Sequence, residues 1–298
     1  MKVHLVDGTY ELFRHYYALP HHLNAQREEV AATRGVVSSM LSLVADGATH
    51  VAVATDHVIE SFRNALWKDY KDGAGIEPDL FSQFGLLEEA LRACGFAVWA
   101  MVEYEADDAL AAGAALCSAD NRVEQVFICT PDKDLAQCVV GNRVVQYDRR
   151  QKQIINADRV AQKFGVPPES ITDYLALVGD AADGFPGIAG WGARSAAKVL
   201  ARYGHLEKIP ADAQDWEVQV RGATRLAATL SDNLEQALLF RRLATLVVDG
   251  PVDGTVDDLE WRSPLPEFRA ICSRMEAPGL ADRAESLAAR ANISEWRE

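Results

Sequence analysis

Five short apolar runs, rich in β-branched residues and separated by stretches of helical periodicity, restrict what this chain can fold into. "KVHLV" (2–6), "HVAVAT" (50–55), "FAVWAM" (96–101), "QVFICT" (125–130) and "NRVVQY" (142–147) have the length and composition of strands. "TRGVVSSMLSLVA" (33–45), "DLFSQFGLLEEALRAC" (79–94) and "ADDALAAGAALCSA" (106–119) repeat apolar residues three and four apart, as crossover helices do. The alternation predicts an α/β fold, with a mostly parallel twisted sheet flanked by helices.

From about residue 156 the strand signal thins. "NADRVAQKFG", "ITDYLALVG" and "RSAAKVLARYG" read as helices, so the expected division is an α/β domain over 1–155 and a helical lobe over 156–298. No apolar run approaches the roughly 18 residues of a membrane span, and "MKVHLVDG" is not a secretory leader, so the expectation is a soluble, cytoplasmic protein without a membrane partner. Cys94, Cys117, Cys129, Cys138 and Cys272 show no zinc spacing and read as reduced core residues.

Carboxylates fall where these strands end. Asp7 follows "VHLV", Asp56 follows "VAVAT", Glu105 comes soon after "FAVWAM", and Asp132 comes two residues after "VFICT". Side chains just beyond the strand C-termini of an open parallel sheet face one crevice, where such sheets bind ligands. Asp107 and Asp108 join Glu105 from the first turn of a helix, and Asp134 joins Asp132 in "TPDKDLAQ". Any one of these acids is accounted for as a helix cap, but seven on one edge are not. Two carboxylates about 4 Å apart repel by about 4 kcal/mol at an effective dielectric near 20, so such a set calls for cations. Oxygen ligands alone point to Mg²⁺ or Mn²⁺, and such ions in pairs hydrolyse phosphodiesters.

The second part adds Asp180 and Asp183, then the tight turn "GIAGWG" (187–192) before a helix. Glycines at Gly187, Gly190 and Gly192 permit close backbone approach, and the following amides can hold a phosphate. The formal net charge of −14 argues against coating nucleic acid through the overall field. Basic residues are nevertheless concentrated locally, at Arg143, Arg149, Arg150, Lys152, Arg159 and Lys163, and at Arg194, Lys198, Arg202 and Lys208.

"LVDGTYELFRHYYAL", "SFRNALWKDYKDG", "YEADDALA", "TPDKDLAQ" and "GDAADGFPGIAGWGARSAAKVL" occur in this order over residues 3–205. Together they resemble the structure-specific 5′ nucleases, the flap endonuclease and 5′–3′ exonuclease family, most closely the N-terminal nuclease domain of bacterial family A DNA polymerases. The resemblance implies a PIN-like sheet, an arch segment near 60–85, and a helix-hairpin-helix at 180–204 followed by C-terminal helices. It implies two-metal hydrolysis of DNA at 5′ ends, nicks and flaps, with Asp7, Asp56, Glu105 and Asp107 around one ion. Asp132, Asp134 and Asp183 would surround the other with Asp107 shared, and Asp108 and Asp180 would sit in the outer shell.

By the same resemblance Lys71 approaches the scissile phosphate, with Arg63 and Arg14 as further phosphate partners. Tyr70 stacks on the terminal base, and the hairpin glycines with Arg194 and Lys198 clamp the duplex, assisted by a potassium ion. From the length of 298 residues we expect a free-standing nuclease without a polymerase of its own, a monomer working with a DNA polymerase and ligase in trans. Two departures stand out. Ala74 occupies the usual place of an arch arginine, and Ala182 and Gly184 stand where Ser and Asn are usual. These changes lead us to expect weaker arch threading and flap ordering around an intact metal site. A PIN-type ribonuclease and a DNA-structure-binding module with little catalysis are the alternatives, while a P-loop phosphotransferase lacks its glycine-lysine loop.

Overall fold

The computed structural model describes residues 1–295. In chain order the elements are β1 (Lys2–Asp7), α1 (Gly8–Ala18), α2 (Ala31–Ala45), β2 (His50–Asp56), α3 (Pro78–Phe81), α4 (Gln83–Ala93), β3 (Ala97–Met101), α5 (Ala106–Ala119), β4 (Gln125–Cys129), β5 (Val144–Asp148), β6 (Gln153–Ile155), α6 (Ala157–Phe164), α7 (Ile171–Val178), α8 (Ala193–Tyr203), α9 (Ala223–Asp232), α10 (Leu234–Ala244), α11 (Phe268–Arg274) and α12 (Pro278–Glu295). All five expected strands form. The sixth, β6, is three residues long with two of them exposed, too short to leave a periodic signal.

The chain divides into two compact units, each assembled from separated segments. The first holds Met1–Ile59, Gly73–Thr130 and Val248–Glu298, and the second holds Glu60–Asp72 and Pro131–Val247. This differs from the division expected at residue 155, because packing groups the segments by contact and not by their order in the chain. Trp261 shows the reason at the C-terminal end. Its indole N–H donates to the carbonyl of Cys94 at 2.9 Å and its backbone N–H to that of Thr49 at 2.8 Å, anchoring residues 248 onward to the α/β unit. The last helices follow it, with α11 packed on α4 and α12 on α2.

In the first unit four parallel strands run in the order β3-β2-β1-β4, with Val3 beside His50, Val6 beside Cys129 and Asp56 beside Met101. Strand β2 is buried along its length except at Asp56, as a strand covered on both faces must be, and its continuous apolar run supplies that burial. Helix α1 begins hard against β2. A Cβ on Gly8 would lie 2.7 Å from Val53 Cγ1 and 2.8 Å from the Ala54 carbonyl oxygen, so glycine sets how closely the residue after Asp7 approaches the sheet.

The second unit is mainly helical, with β5 and β6 as an antiparallel pair, Gln146 opposite Ile155. Its core joins Phe185, Ile188 and Trp191 to Val199, Leu200 and Phe240. The turn between α7 and α8 is closed by reciprocal backbone bonds between Asp180 and Phe185, at 2.8 and 3.0 Å. Gly187 sits in that turn at φ +72°, where a Cβ would fall 2.4 Å from the Gly179 nitrogen.

Candidate active site

In the first unit the acids stand at two strand ends and at the start of a helix. Asp7 closes β1 and caps α1, its Oδ1 accepting from the Tyr10 N–H at 2.8 Å, while Oδ2 accepts from the Thr130 hydroxyl at 3.0 Å. Asp56 closes β2. Its backbone N–H donates to Thr9 Oγ1 at 2.8 Å, and its Oδ1 accepts from the Ala106 N–H at 2.8 Å, which places it at the start of α5. Glu105 is the N-cap of that helix and is 2 % exposed, and Asp107 lies half-buried in its first turn. The positive end of the helix thus faces a concentration of carboxylates.

Asp108 lies behind Glu105. It is fully buried, and its Oδ2 accepts from the Glu105 N–H at 3.0 Å in a capping box, so it sets the geometry of the residue that carries Glu105.

In the second unit Asp134, Asp180 and Asp183 bring carboxylate oxygens within 4.8 Å of one another. Asp134 is held by its own loop: the Asp134 N–H donates to Asp132 Oδ1 at 2.9 Å, and the buried Gln146 side chain donates to the Asp132 carbonyl. Asp132 itself is exposed. Lys133 Nζ lies 2.5 Å from Asp180 Oδ2, and Lys71 Nζ lies 3.4 Å from Asp183 Oδ1. Asp134 is buried, and its Oδ1 has no hydrogen-bond partner. Burial pushes the Asp134 carboxyl well above the usual carboxylate range, and the charges of Asp132, Asp183 and Asp180 push it further. Burial opposes the Lys133 charge, but its bond to Asp180 and the nearby Asp134 and Asp132 outweigh that and hold the ammonium above its ordinary range. Orphaned buried oxygen among converging oxygen donors fits a hard divalent cation.

Lys71 is positioned by its surroundings. Its N–H donates to the Asp183 carbonyl at 3.1 Å, its carbonyl accepts from the Asn64 side chain at 3.0 Å, and nearby the Trp67 indole donates to the Gly184 carbonyl at 3.0 Å. Arg63 and Tyr70 depart from expectation. Arg63 is 1 % exposed, with Nε and Nη2 donating to the carbonyls of Leu243 and Thr245 at 2.8 and 3.0 Å, so it ties the 60–72 segment to the end of α10 and does not present a guanidinium to phosphate. Tyr70 is 4 % exposed in the core of the second unit, with Lys71 Nζ 5.8 Å from its ring centre, and offers no open face to a base. Arg14 is ion-paired to the buried Glu11 one turn back on α1.

Around the hairpin, Arg194 and Lys198 are exposed four residues apart on α8. Gly192 caps that helix, its N–H donating to Ser195 Oγ at 3.1 Å, and Gly190 is exposed at φ +87°. Thr130, Gln146 and Lys133 were missed from sequence. Only Lys133 carried a signal, the lysine placed between two candidate ligands in "DKD".

Two family models match in tandem: "5'-3' exonuclease, N-terminal resolvase-like domain" over residues 2–165, and "5'-3' exonuclease, C-terminal SAM fold" over 166–267. The chain belongs to the 5′–3′ exonuclease family. A 5′–3′ exonuclease of Aquifex aeolicus is 30% identical over 288 residues, covering 96% of each protein. DNA polymerase I of Pseudomonas aeruginosa is 35% identical over 273 residues, 88% of this chain but 29% of the polymerase, so the chain spans less than a third of that relative. Among solved structures the T5 D15 protein, crystallised with metal ions, shares the fold at a TM-score of 0.65 and 18% identity, over 96% of this chain and all of that one. Flap endonuclease-1 from Methanococcus jannaschii shares it at 0.56 and 14%, over 97% and 93%. The fold is the expected one, a resolvase-like α/β part followed by a helical part. Among the described residues no helix is long and apolar enough to cross a membrane.

Proposed function

We propose that this chain hydrolyses DNA phosphodiesters at 5′ ends, nicks and flap junctions in a reaction that requires Mg²⁺ or Mn²⁺. The observation that carries the reading is the Asp134, Asp180 and Asp183 cluster with its orphaned buried oxygen, in a chain of the 5′–3′ exonuclease family. Asp7, Asp56, Glu105 and Asp107 are the candidate ligands of the first unit, and Asp132, Asp134, Asp180 and Asp183 those of the second. Divalent ions bound there supply an activated water and stabilise the leaving oxygen of a phosphodiester.

The remaining roles belong to the chain's own groups. Lys71 neutralises charge on the scissile phosphate, where an ammonium counts for most as charge grows. The amides around Gly187, Gly190 and Gly192, with Arg194 and Lys198 and a potassium ion, hold duplex phosphates and read shape and not bases. Arg14 becomes a phosphate partner by exchanging Glu11 for DNA. The reading carries with it a cytoplasmic monomer that works beside a DNA polymerase and a ligase.

Cleavage of a 5′-labelled flap duplex, with single-stranded RNA and DNA controls, in Mg²⁺ or EDTA, tests it on wild type and Asp134→Asn. Metal-dependent cutting at the flap junction that the variant loses is the expected result. Cutting of single-stranded RNA alone would mean a ribonuclease, and DNA binding without cutting would mean a structure-binding module.

A further inference from the structure

Among the described residues, two of the three clustered acids of the second unit are each paired with a lysine. Lys133 Nζ is 2.5 Å from Asp180 Oδ2 and Lys71 Nζ is 3.4 Å from Asp183 Oδ1, while Asp134 Oδ1 has no hydrogen-bond partner. A divalent ion binding among these acids thus meets two ammoniums already paired with its candidate ligands. A divalent ion that draws on all three acids competes with those ammoniums for the negative charge of Asp180 and Asp183.

The exposures make that exchange feasible. The Asp180 and Asp183 side chains are 4% and 13% exposed and fixed in the turn, whereas those of Lys133 and Lys71 are 36% and 28% exposed. The lysines therefore end at the water boundary on flexible four-carbon stems, and they can leave while the carboxylates stay.

We propose that Lys133 and Lys71 are exchangeable internal counter-ions of this cluster, displaced when a divalent cation binds, so that Lys71 is released toward a substrate phosphate only on a metal-loaded protein. Lys133 is then a positioning residue: it keeps Asp180 in place without metal and competes with metal for it. The Lys71 half of the inference rests on the nuclease reading above, whereas the exchange itself requires only metal binding.

The first test is a Mn²⁺ titration of the protein without DNA, followed by electron paramagnetic resonance, on wild type, Lys133→Met and Lys133→Arg. Removing the competing ammonium in Lys133→Met should tighten Mn²⁺ binding roughly threefold or more, and Lys133→Arg, which keeps the charge, should stay near wild type. Unchanged or weaker binding in Lys133→Met overturns the exchange and makes the lysine a purely structural strut. Wild type that binds no Mn²⁺ would sink both this inference and the nuclease reading, whereas equal Mn²⁺ binding by all three proteins overturns the exchange alone.

The second test uses Lys71→Met and the affinity for a 5′-phosphorylated DNA duplex, by fluorescence anisotropy, in Ca²⁺ and in EDTA. The variant should lose roughly fivefold in Ca²⁺ and nothing in EDTA. An equal loss in both conditions shows that Lys71 reaches phosphate without metal and overturns the coupling.

Discussion

The hydroxyl of Thr130 donates to Oδ2 of Asp7 at 3.0 Å across 123 residues of chain, joining the residue after β4 to the last residue of β1. Asp7 is thereby held from two sides, since the Tyr10 N–H already occupies Oδ1. In the metal-ligand role proposed for Asp7, such a partner orients the carboxylate without touching metal, and loss of partners of this kind lowers metal affinity or activity by about 10- to 100-fold. Thr130→Val, nearly identical in shape, should therefore lose activity on a flap duplex within that range while its thermal midpoint moves little. Full activity in the variant would show that Asp7 needs no second anchor.

Arg63 should matter for stability before it matters for chemistry. Its guanidinium is buried and bonded to two backbone carbonyls, so Arg63→Ala leaves acceptors unpaired in the interior and should cost about 2–5 kcal/mol. Urea denaturation measures this directly. A variant of wild-type stability with lost DNA affinity would restore Arg63 to the phosphate role that the family resemblance implies.

Ala74 is exposed in the segment after Lys71, and no basic residue follows it before α3. Ala74→Arg adds a cation where family members commonly carry one, and should lower the flap KM. It should also steepen the dependence of log affinity on log salt by roughly one, the amount expected for one more phosphate contact. Kinetics and salt slope identical to wild type would count against an arch role for this position.

Gly184 behaves differently from Ala74, although both depart from the family pattern. It lies at φ +82°, and a Cβ there would meet the Asp69 carbonyl oxygen at 2.0 Å. Gly184→Asn should therefore lose roughly 1–3 kcal/mol to backbone strain and crowding instead of improving flap ordering. Differential scanning calorimetry reads the outcome, and an unchanged melting temperature would mean that the 60–72 segment yields to the side chain.

Acid should weaken both units through a glutamate–arginine pair in each. In the first unit a hydrogen bond from Arg274, aided by one from Asn24, holds Glu28 down at about 2 against an ordinary 4.5. In the second, Arg241 does the same for Glu207, also to about 2. Both folded-state values are depressed, so the stabilisation is complete above 4.5 and is lost as pH falls from there toward 2. Melting temperatures of the metal-free protein across that window should fall, and Glu28→Gln should flatten part of the slope. A parallel curve for the variant would remove Glu28 from the account.

Much of the fold was legible because its causes are local. Runs such as "HVAVAT" and helical periodicity such as that of 106–119 depend on near neighbours, and the formed strands and helices follow them. The positions of Asp7 and Asp56 at strand ends were readable for the same reason: a strand's last residue is defined by where its own apolar run stops. The extension of the first unit to residue 248 onward was not, since it depends on Trp261 meeting Cys94, 167 residues earlier.

The chain's own sequence determined the sheet, its crossover helices, the supply of acids and the family to which it belongs. Only the tertiary structure decided which side chains those acids meet. "SFRN" and "YKDG" read alike as substrate-binding sequence, yet folding buries Arg63 and Tyr70 and leaves Lys71 partly exposed beside Asp183. The physical reason is that burial and pairing depend on contacts between residues far apart in the chain, here the 60–72 segment against α10 and the α7–α8 turn, and no local periodicity encodes them.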